Sequence, residues 1–192
     1  TMDLVLASSS PYRRTQLANI GLHVECLAPN IDESRLPGES PANMAARLAR
    51  SKAQVIAALR PNAVIIAADQ VACIGERTLG KPGSLHAQRE QLAQSSAQQV
   101  VFYTALAIGR HADHRLSEHL DLTRCQMRAL SAADIDRYVA AESAIDCAGG
   151  FKVEGRGILL FERIDSSDPS ALIGLPLIAV GRLLRQFGWE LP

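Results

Sequence analysis

Asp69 ends an uninterrupted apolar run, Ala63-Val64-Ile65-Ile66-Ala67-Ala68, and is followed by Gln70. A carboxylate at the end of a buried strand stands where α/β folds usually place ligands. There it can accept a proton from an attacking water or hold a metal ion, and a turn-forming Asp is the plainer alternative. Upstream, Ser8-Ser9-Ser10-Pro11-Tyr12-Arg13-Arg14 joins hydroxyls to two adjacent guanidiniums. At a helix N-terminus these groups and the free backbone N–H donors suit a phosphate. The same segment also reads as an ordinary capped helix with two solvated arginines. Lys81 stands in the rigid turn Gly80-Lys81-Pro82, without the glycine pattern of a P-loop. Lys52 falls within a helical stretch and Glu33 in the polar loop Asp32-Glu33-Ser34; singly, each reads as a surface charge. Gly149-Gly150-Phe151-Lys152-Val153-Glu154-Gly155 sets Lys152 and Glu154 between glycines that let a loop approach a ligand.

These residues need a framework, and periodicity supplies one. Leu4 to Ala7 reads as a strand, Ser10-Pro11 as a capped helix start, and Gly21 as its stop. A short strand is expected over His23 to Ala28. Ser40-Pro41 opens a long helix to about Leu59 on the spacing of Met44, Leu48, Ala49, Val55 and Ile56. Ala63 to Ala68 reads as a strand covered on both faces. Ser84 caps a helix ending near Gln94. Val100 to Ile108 and Leu116 to Met127 read as long strands joined through the polar segment 109–114. Ser131 with Asp134 resembles an acidic capping box and opens a helix through Ala141. Ile158 to Phe161 reads as a strand and Pro176 to Phe187 as a final amphipathic helix. The expected fold is therefore α/β around a mixed sheet, with 1–192 as a single domain and a cleft between the first-half helices and the second-half strands.

Bulk properties narrow the function. Formal net charge is zero and only 4% of residues are aromatic, which counts against a nucleic-acid-binding protein and leaves phosphate chemistry to local basic residues. The start Thr1-Met2-Asp3 has no basic or long apolar region of a signal peptide, and no apolar run approaches a membrane span. Cys26, Cys73, Cys125 and Cys147 form no C-x-x-C pair and read as reduced thiols of a cytoplasmic protein. His111, His114 and His119 cluster near a hairpin connection, where a solvated loop is favoured over a zinc site.

In order and spacing, L-A-S-S-S-P-Y-R-R at 6–14, D-E at 32–33, Lys52, A-D-Q at 68–70, G-K-P at 80–82 and F-K-V-E-G at 151–155 resemble the Maf family of nucleotide pyrophosphatases. Gly174-Leu175-Pro176 resembles the family's closing segment. The resemblance spans nearly the whole chain. It implies a fold similar to inosine triphosphate pyrophosphatases: an elongated mixed sheet flanked by helices, with two lobes and a central cleft. It also implies cleavage between the α and β phosphates with a divalent cation (Mg, Mn or Co). Asp69 would activate water, Arg13, Arg14, Lys52 and Lys81 would hold phosphates, and Glu33 would assist Asp69 in binding the metal. Ser8 and Lys152 complete the implied substrate contacts. Tyr12, Gln70 and Glu154 resemble the members that act on 7-methyl-GTP, where pyrimidine-specific relatives usually show Arg, Thr and Gln. N7-methylation makes guanine cationic, so an aromatic face attracts it, and a carboxylate can accept from the base's N1–H and amine. Three departures stand out: Ser96-Ala97-Gln98 replaces a Ser-Gly pair, the usual nearby His is missing, and Gly150 stands where Ser is common. The alternatives are a pyrophosphatase of dTTP, UTP or CTP and a non-catalytic nucleotide-binding regulator of cell division. The expected partner is a nucleotide, with no membrane or stable nucleic-acid complex, and a homodimer remains open.

Overall fold

The computed structural model describes residues 2–192, so Thr1 of the Thr1-Met2-Asp3 start lies outside the described residues. Among the described residues, seven strands and five α-helices are interspersed along the chain. The first stretch runs β1 (Leu4–Leu6), α1 (Pro11–Asn19), β2 (Glu25–Cys26), α2 (Pro41–Leu59), β3 (Val64–Ile74) and β4 (Arg77–Leu79). It continues α3 (Leu85–Ser95), β5 (Gln99–Arg110), β6 (Arg115–Met127), α4 (Ala132–Ala141), β7 (Phe161–Asp165) and α5 (Leu177–Gln186). The sheet order is β2-β1-β3-β5-β6-β7, with β4 pairing on β3. β1 lies parallel to β2 and β3, whereas β4 on β3 and β7 on β6 are antiparallel. The fold is mixed α/β, as the alternation of periodic segments indicates.

Three segments differ from the sequence reading. β3 does not stop at Ala68 but continues to Ile74, because Val71-Ala72-Cys73 are buried and Ala72, Cys73 and Ile74 pair with β4 through the turn at Gly75. Asp69 is thus a residue within a strand, not at its end. It still lies beyond Ile66, the last residue paired with β1, and so shares the sheet end from which Ser8 departs. Ile158 to Leu160 is not strand but part of a 3-10 turn, Arg156–Leu160, and pairing with β6 starts only at Phe161. A second 3-10 turn, Ala171–Ile173, precedes α5.

The chain divides into two compact units, and three of its four crossings between them fall inside the continuous strands β3, β5 and β6, which is why no linker composition marks those boundaries. The first comprises the chain up to Asp69, Thr104–Asp121 and Asp168–Pro192. Its core joins Leu6, Val64 and Ile66 of the sheet to Leu17 of α1 and Val180, Leu183 and Leu184 of α5. The second comprises Gln70–Tyr103 and Leu122–Ser167. There α3 packs on α4, and Phe151 sits between Phe102 and Phe161 at centroid distances of 5.5 and 4.8 Å, both edge-on.

The cap signals hold in detail. Ser10, Ser40, Ser84 and Ser131 each accept the N3 backbone N–H, and Asp134 completes the capping box of α4. The Ser96-Ala97 departure also has a physical meaning. Ala97 has φ of 58°, a left-handed conformation held by its N–H to the Arg128 carbonyl at 2.9 Å. A glycine adopts that conformation without the Cβ clash. Ala97→Gly is therefore expected to raise unfolding free energy by about 1 kcal/mol in urea denaturation. A loss of stability would show that the alanine methyl packs usefully despite its backbone.

Candidate active site

The first unit gathers Ser8, Arg13, Glu33, Lys52 and Asp69. Ser8 ends the β1 exit and is buried; its Oγ accepts the Ser10 N–H at 3.0 Å. That bond fixes the tight turn into α1, whose first turn carries Tyr12, Arg13 and Arg14. Arg13 is half-buried and donates from Nε to the Gly174 carbonyl at 3.0 Å. Arg14, on the next helical position, is exposed.

Lys52 lies on the apolar stripe of α2, in line with Leu48 and Ile56, and is 8% exposed. Its Nζ donates to Asp69 Oδ1 at 2.8 Å and is also paired with Glu33 Oε1. Two carboxylates therefore meet on one ammonium, an inner one from β3 and an outer one from the loop ahead of α2. Glu33 is half-exposed, while the Asp69 side chain is 11% exposed. Burial pushes the Asp69 carboxyl above its ordinary range, against the opposing pull of Lys52 and Arg13, with Glu33 adding to the rise. Burial likewise pulls the Arg13 guanidinium below its ordinary value, opposed by Asp69 and Glu33. A carboxylate raised in this way is a stronger base than a solvated aspartate.

The loop carrying Glu33 is braced by residues that the sequence reading did not single out. Arg47 of α2 donates to both Glu39 oxygens, at 2.6 and 3.0 Å, and to the Ser34 carbonyl at 2.9 Å. Asp32 caps the turn by accepting the Ser34 N–H at 2.9 Å. The Glu39 hydrogen bond raises Arg47 and lowers Glu39, so both stay charged. On the C-terminal side, Gln16 donates to the Ser170 and Leu175 carbonyls, at 2.9 and 3.2 Å, and so steadies the Gly174 segment that receives Arg13. A Cβ on Gly174 would lie 3.2 Å from Arg13 Cγ, which explains a glycine there.

Glu33 and Asp69 supply two hard oxygens at one point, which suits a Mg²⁺-type cation that takes one or two carboxylates and completes its shell with water and phosphate. No group of three or more His, Cys, Asp or Glu among the described residues forms a protein-only cage. That includes the histidines: His111 and His114 meet edge-on at 5.8 Å, and His119 instead faces Asp121 and Arg182.

Gln70, Lys81, Lys152 and Glu154 belong to the second unit. Gln70 is half-buried in β3. Lys81 is exposed in a turn tied by Gln91 Nε2 to the Gly80 carbonyl at 2.8 Å. The fully buried Gln88 donates to the Gly150 carbonyl at 3.0 Å and anchors the start of the 151–155 loop. Lys152 is half-buried and Glu154 exposed. The four cysteines are all free thiols, and no helix of the described residues is long and apolar enough to cross a membrane.

The chain is similar to known proteins along nearly its whole length. A family model described as Maf-like protein matches residues 3–187. A 7-methyl-GTP pyrophosphatase of Xanthomonas axonopodis pv. citri is 49% identical over 189 residues, covering 98% of both chains. One from Xanthomonas campestris pv. campestris is 50% identical over 190 residues, again with 98% of each covered. One from Alkalilimnicola ehrlichii is 47% identical, covering 98% of this chain and 94% of its own. Among solved structures, the Staphylococcus aureus Ham1 protein aligns with a TM-score of 0.48 and 16% identity over 66% of this chain and 72% of its own.

Proposed function

The chain belongs to the Maf-like protein family, and from that premise we propose that it hydrolyses 7-methyl-GTP to 7-methyl-GMP and pyrophosphate. The observation that carries the chemistry is the buried Asp69, raised as a base and held by Lys52 beside Glu33. Asp69 takes a proton from water as its oxygen attacks the α-phosphorus, the bond to the β-phosphate oxygen breaks, and pyrophosphate leaves. Arg13, Arg14, Lys52 and Lys81 offset the charge of the phosphates, Ser8 is a further substrate contact, and Lys152 meets the substrate on its nucleoside side. Glu33 and Asp69 would hold a divalent cation, whose role is to neutralise phosphate charge. Tyr12 offers an aromatic face to a cationic base, and Glu154 and Gln70 offer acceptors to its donor edge. We place the activity in the cytoplasm, in keeping with four free thiols.

The test is a panel of 7-methyl-GTP, GTP, UTP, dTTP and CTP with products read by phosphorus NMR. Pyrophosphate should be the primary product, and 7-methyl-GTP should show the highest kcat/KM. Orthophosphate as primary product, or a higher kcat/KM for a pyrimidine nucleotide, would overturn the reaction or the base assignment respectively. Exhaustive chelation should abolish turnover, and added Mg²⁺, Mn²⁺ or Co²⁺ should restore it. Full activity in metal-free protein, checked by elemental analysis, would remove the cation from the scheme.

A further inference from the structure

Glu142 follows α4 and was invisible to motif reading, yet its carboxylate collects three donors. Oε1 accepts the Arg156 N–H at 3.3 Å; Oε2 accepts the Gly157 N–H at 3.2 Å and the Tyr138 hydroxyl at 2.7 Å. The Tyr138 oxygen in turn accepts the Lys152 N–H at 3.0 Å. The segment 152–157 is therefore wrapped around one carboxylate and tied to it at both ends. Steric fit agrees. A Cβ on Gly155 would lie 2.0 Å from Glu142 Oε1, and one on Gly157 would lie 2.4 Å from the Lys152 carbonyl oxygen. Neither glycine has room for a side chain while the wrap is closed. Burial and the neighbouring carboxylate push the Tyr138 phenol upward, so it keeps the proton it donates.

We propose that Glu142 and Tyr138 are positioning residues that hold the loop carrying Lys152 and Glu154 in its nucleotide-binding conformation. The inference rests on the proposed reading only in taking that loop to meet the nucleoside half of the substrate. Three donors converge on two carboxylate oxygens, so an amide in place of the carboxylate leaves at least one of them facing another donor. Glu142→Gln keeps the shape and loses that arrangement. Tyr138→Phe removes one oxygen and orphans the Lys152 N–H. Gly155→Ala pushes the loop off the carboxylate while leaving both partners in place.

The experiment is equilibrium binding to the full chain of a non-hydrolysable α,β-methylene guanosine triphosphate methylated at N7, with inorganic tripolyphosphate as a ligand lacking a nucleoside. Amide hydrogen exchange at 152, 156 and 157 is measured alongside. Each variant is expected to bind the nucleotide analogue about tenfold more weakly, as when one buried donor loses its partner, with tripolyphosphate affinity unchanged and the three amides deprotected. Parallel loss for both ligands would reveal a merely structural role, and unchanged nucleotide affinity would also overturn the proposal. Tyr138→Phe carries the test if Glu142→Gln does not fold. Should the wild-type protein bind the matching uridine analogue as tightly, the base assignment fails, whereas the ratio of nucleotide to tripolyphosphate still decides the role of the loop.

Discussion

Asp69→Asn is expected to lower kcat for pyrophosphate release by about a thousandfold, the middle of the range for loss of a positioned base. The amide matches the carboxylate in shape and can still accept the Lys52 proton through its oxygen, so the β3 backbone and α2 contact persist. Nucleotide affinity should change by no more than a few-fold, because the arginines and lysines proposed to meet the phosphates are untouched. The pH profile sharpens the test. Asp69 works as a base only when ionised, and burial raises its carboxyl above the ordinary range. Wild-type kcat/KM should therefore fall on acidification at a pH higher than a solvated aspartate would show. In Asp69→Asn the residual rate should lack that limb. A variant with near-wild-type kcat, or one that keeps the acid limb unchanged, would demote Asp69 to a structural residue.

Much of this site was legible because it is carried by local rules. The cap serines, Pro11 and Pro41 mark where α1 and α2 begin, and the turn into α1 brings Ser8 and the arginine pair to the same sheet end as Asp69. Lys52 was legible only as one member of a set. Its spacing with Leu48 and Ile56 places it on the buried stripe of α2, and that spacing is the signal that could have marked it as a buried charge needing a partner. The run of β3 past Asp69 was not read because Gln70 interrupts the apolar pattern, whereas the strand is sustained by pairing with β4.

What escaped entirely was long-range. Glu39 precedes α2 and Arg47 lies within it, and only the folded loop shows that they brace the segment carrying Glu33. Glu142 and Tyr138 act on amides that follow them by more than a dozen residues, a distance at which periodicity says nothing. The same contacts explain why 156–160 is a 3-10 turn despite its apolar Ile158-Leu159-Leu160: the chain closes on Glu142 before it can extend. Local pattern thus marked Ser8, Arg13 and Asp69, and the tertiary contacts show what supports them.

Lys52→Met gives the second large effect and tests whether the lysine tunes its neighbour as well as the substrate. Met keeps the length of the chain on the Leu48–Ile56 stripe, so the helix should remain packed. Loss of a cationic donor facing the phosphates should lower kcat by a hundredfold or more, comparable to removing one donor from a preorganised site, about 3 kcal/mol. Lys52 also lowers the Asp69 carboxyl, both by charge and by its hydrogen bond, so its removal leaves Arg13 alone to oppose burial and Glu33 and the carboxyl rises further. The acid limb of kcat/KM should accordingly move to higher pH. Stability should follow with a defined sign. A carboxyl whose folded value is raised contributes its stability below the unfolded value and loses it as pH rises through the folded one. Lys52→Met should therefore be closest to wild-type stability in acid and fall away from it as pH rises, read as unfolding free energy across a pH series. Lys52→Arg, which keeps a charge near Asp69, should leave the limb close to its wild-type position even where kcat is impaired. If the limb stays in place in Lys52→Met while kcat falls, the lysine serves the phosphates alone, and the coupling between Lys52 and the base has to be given up.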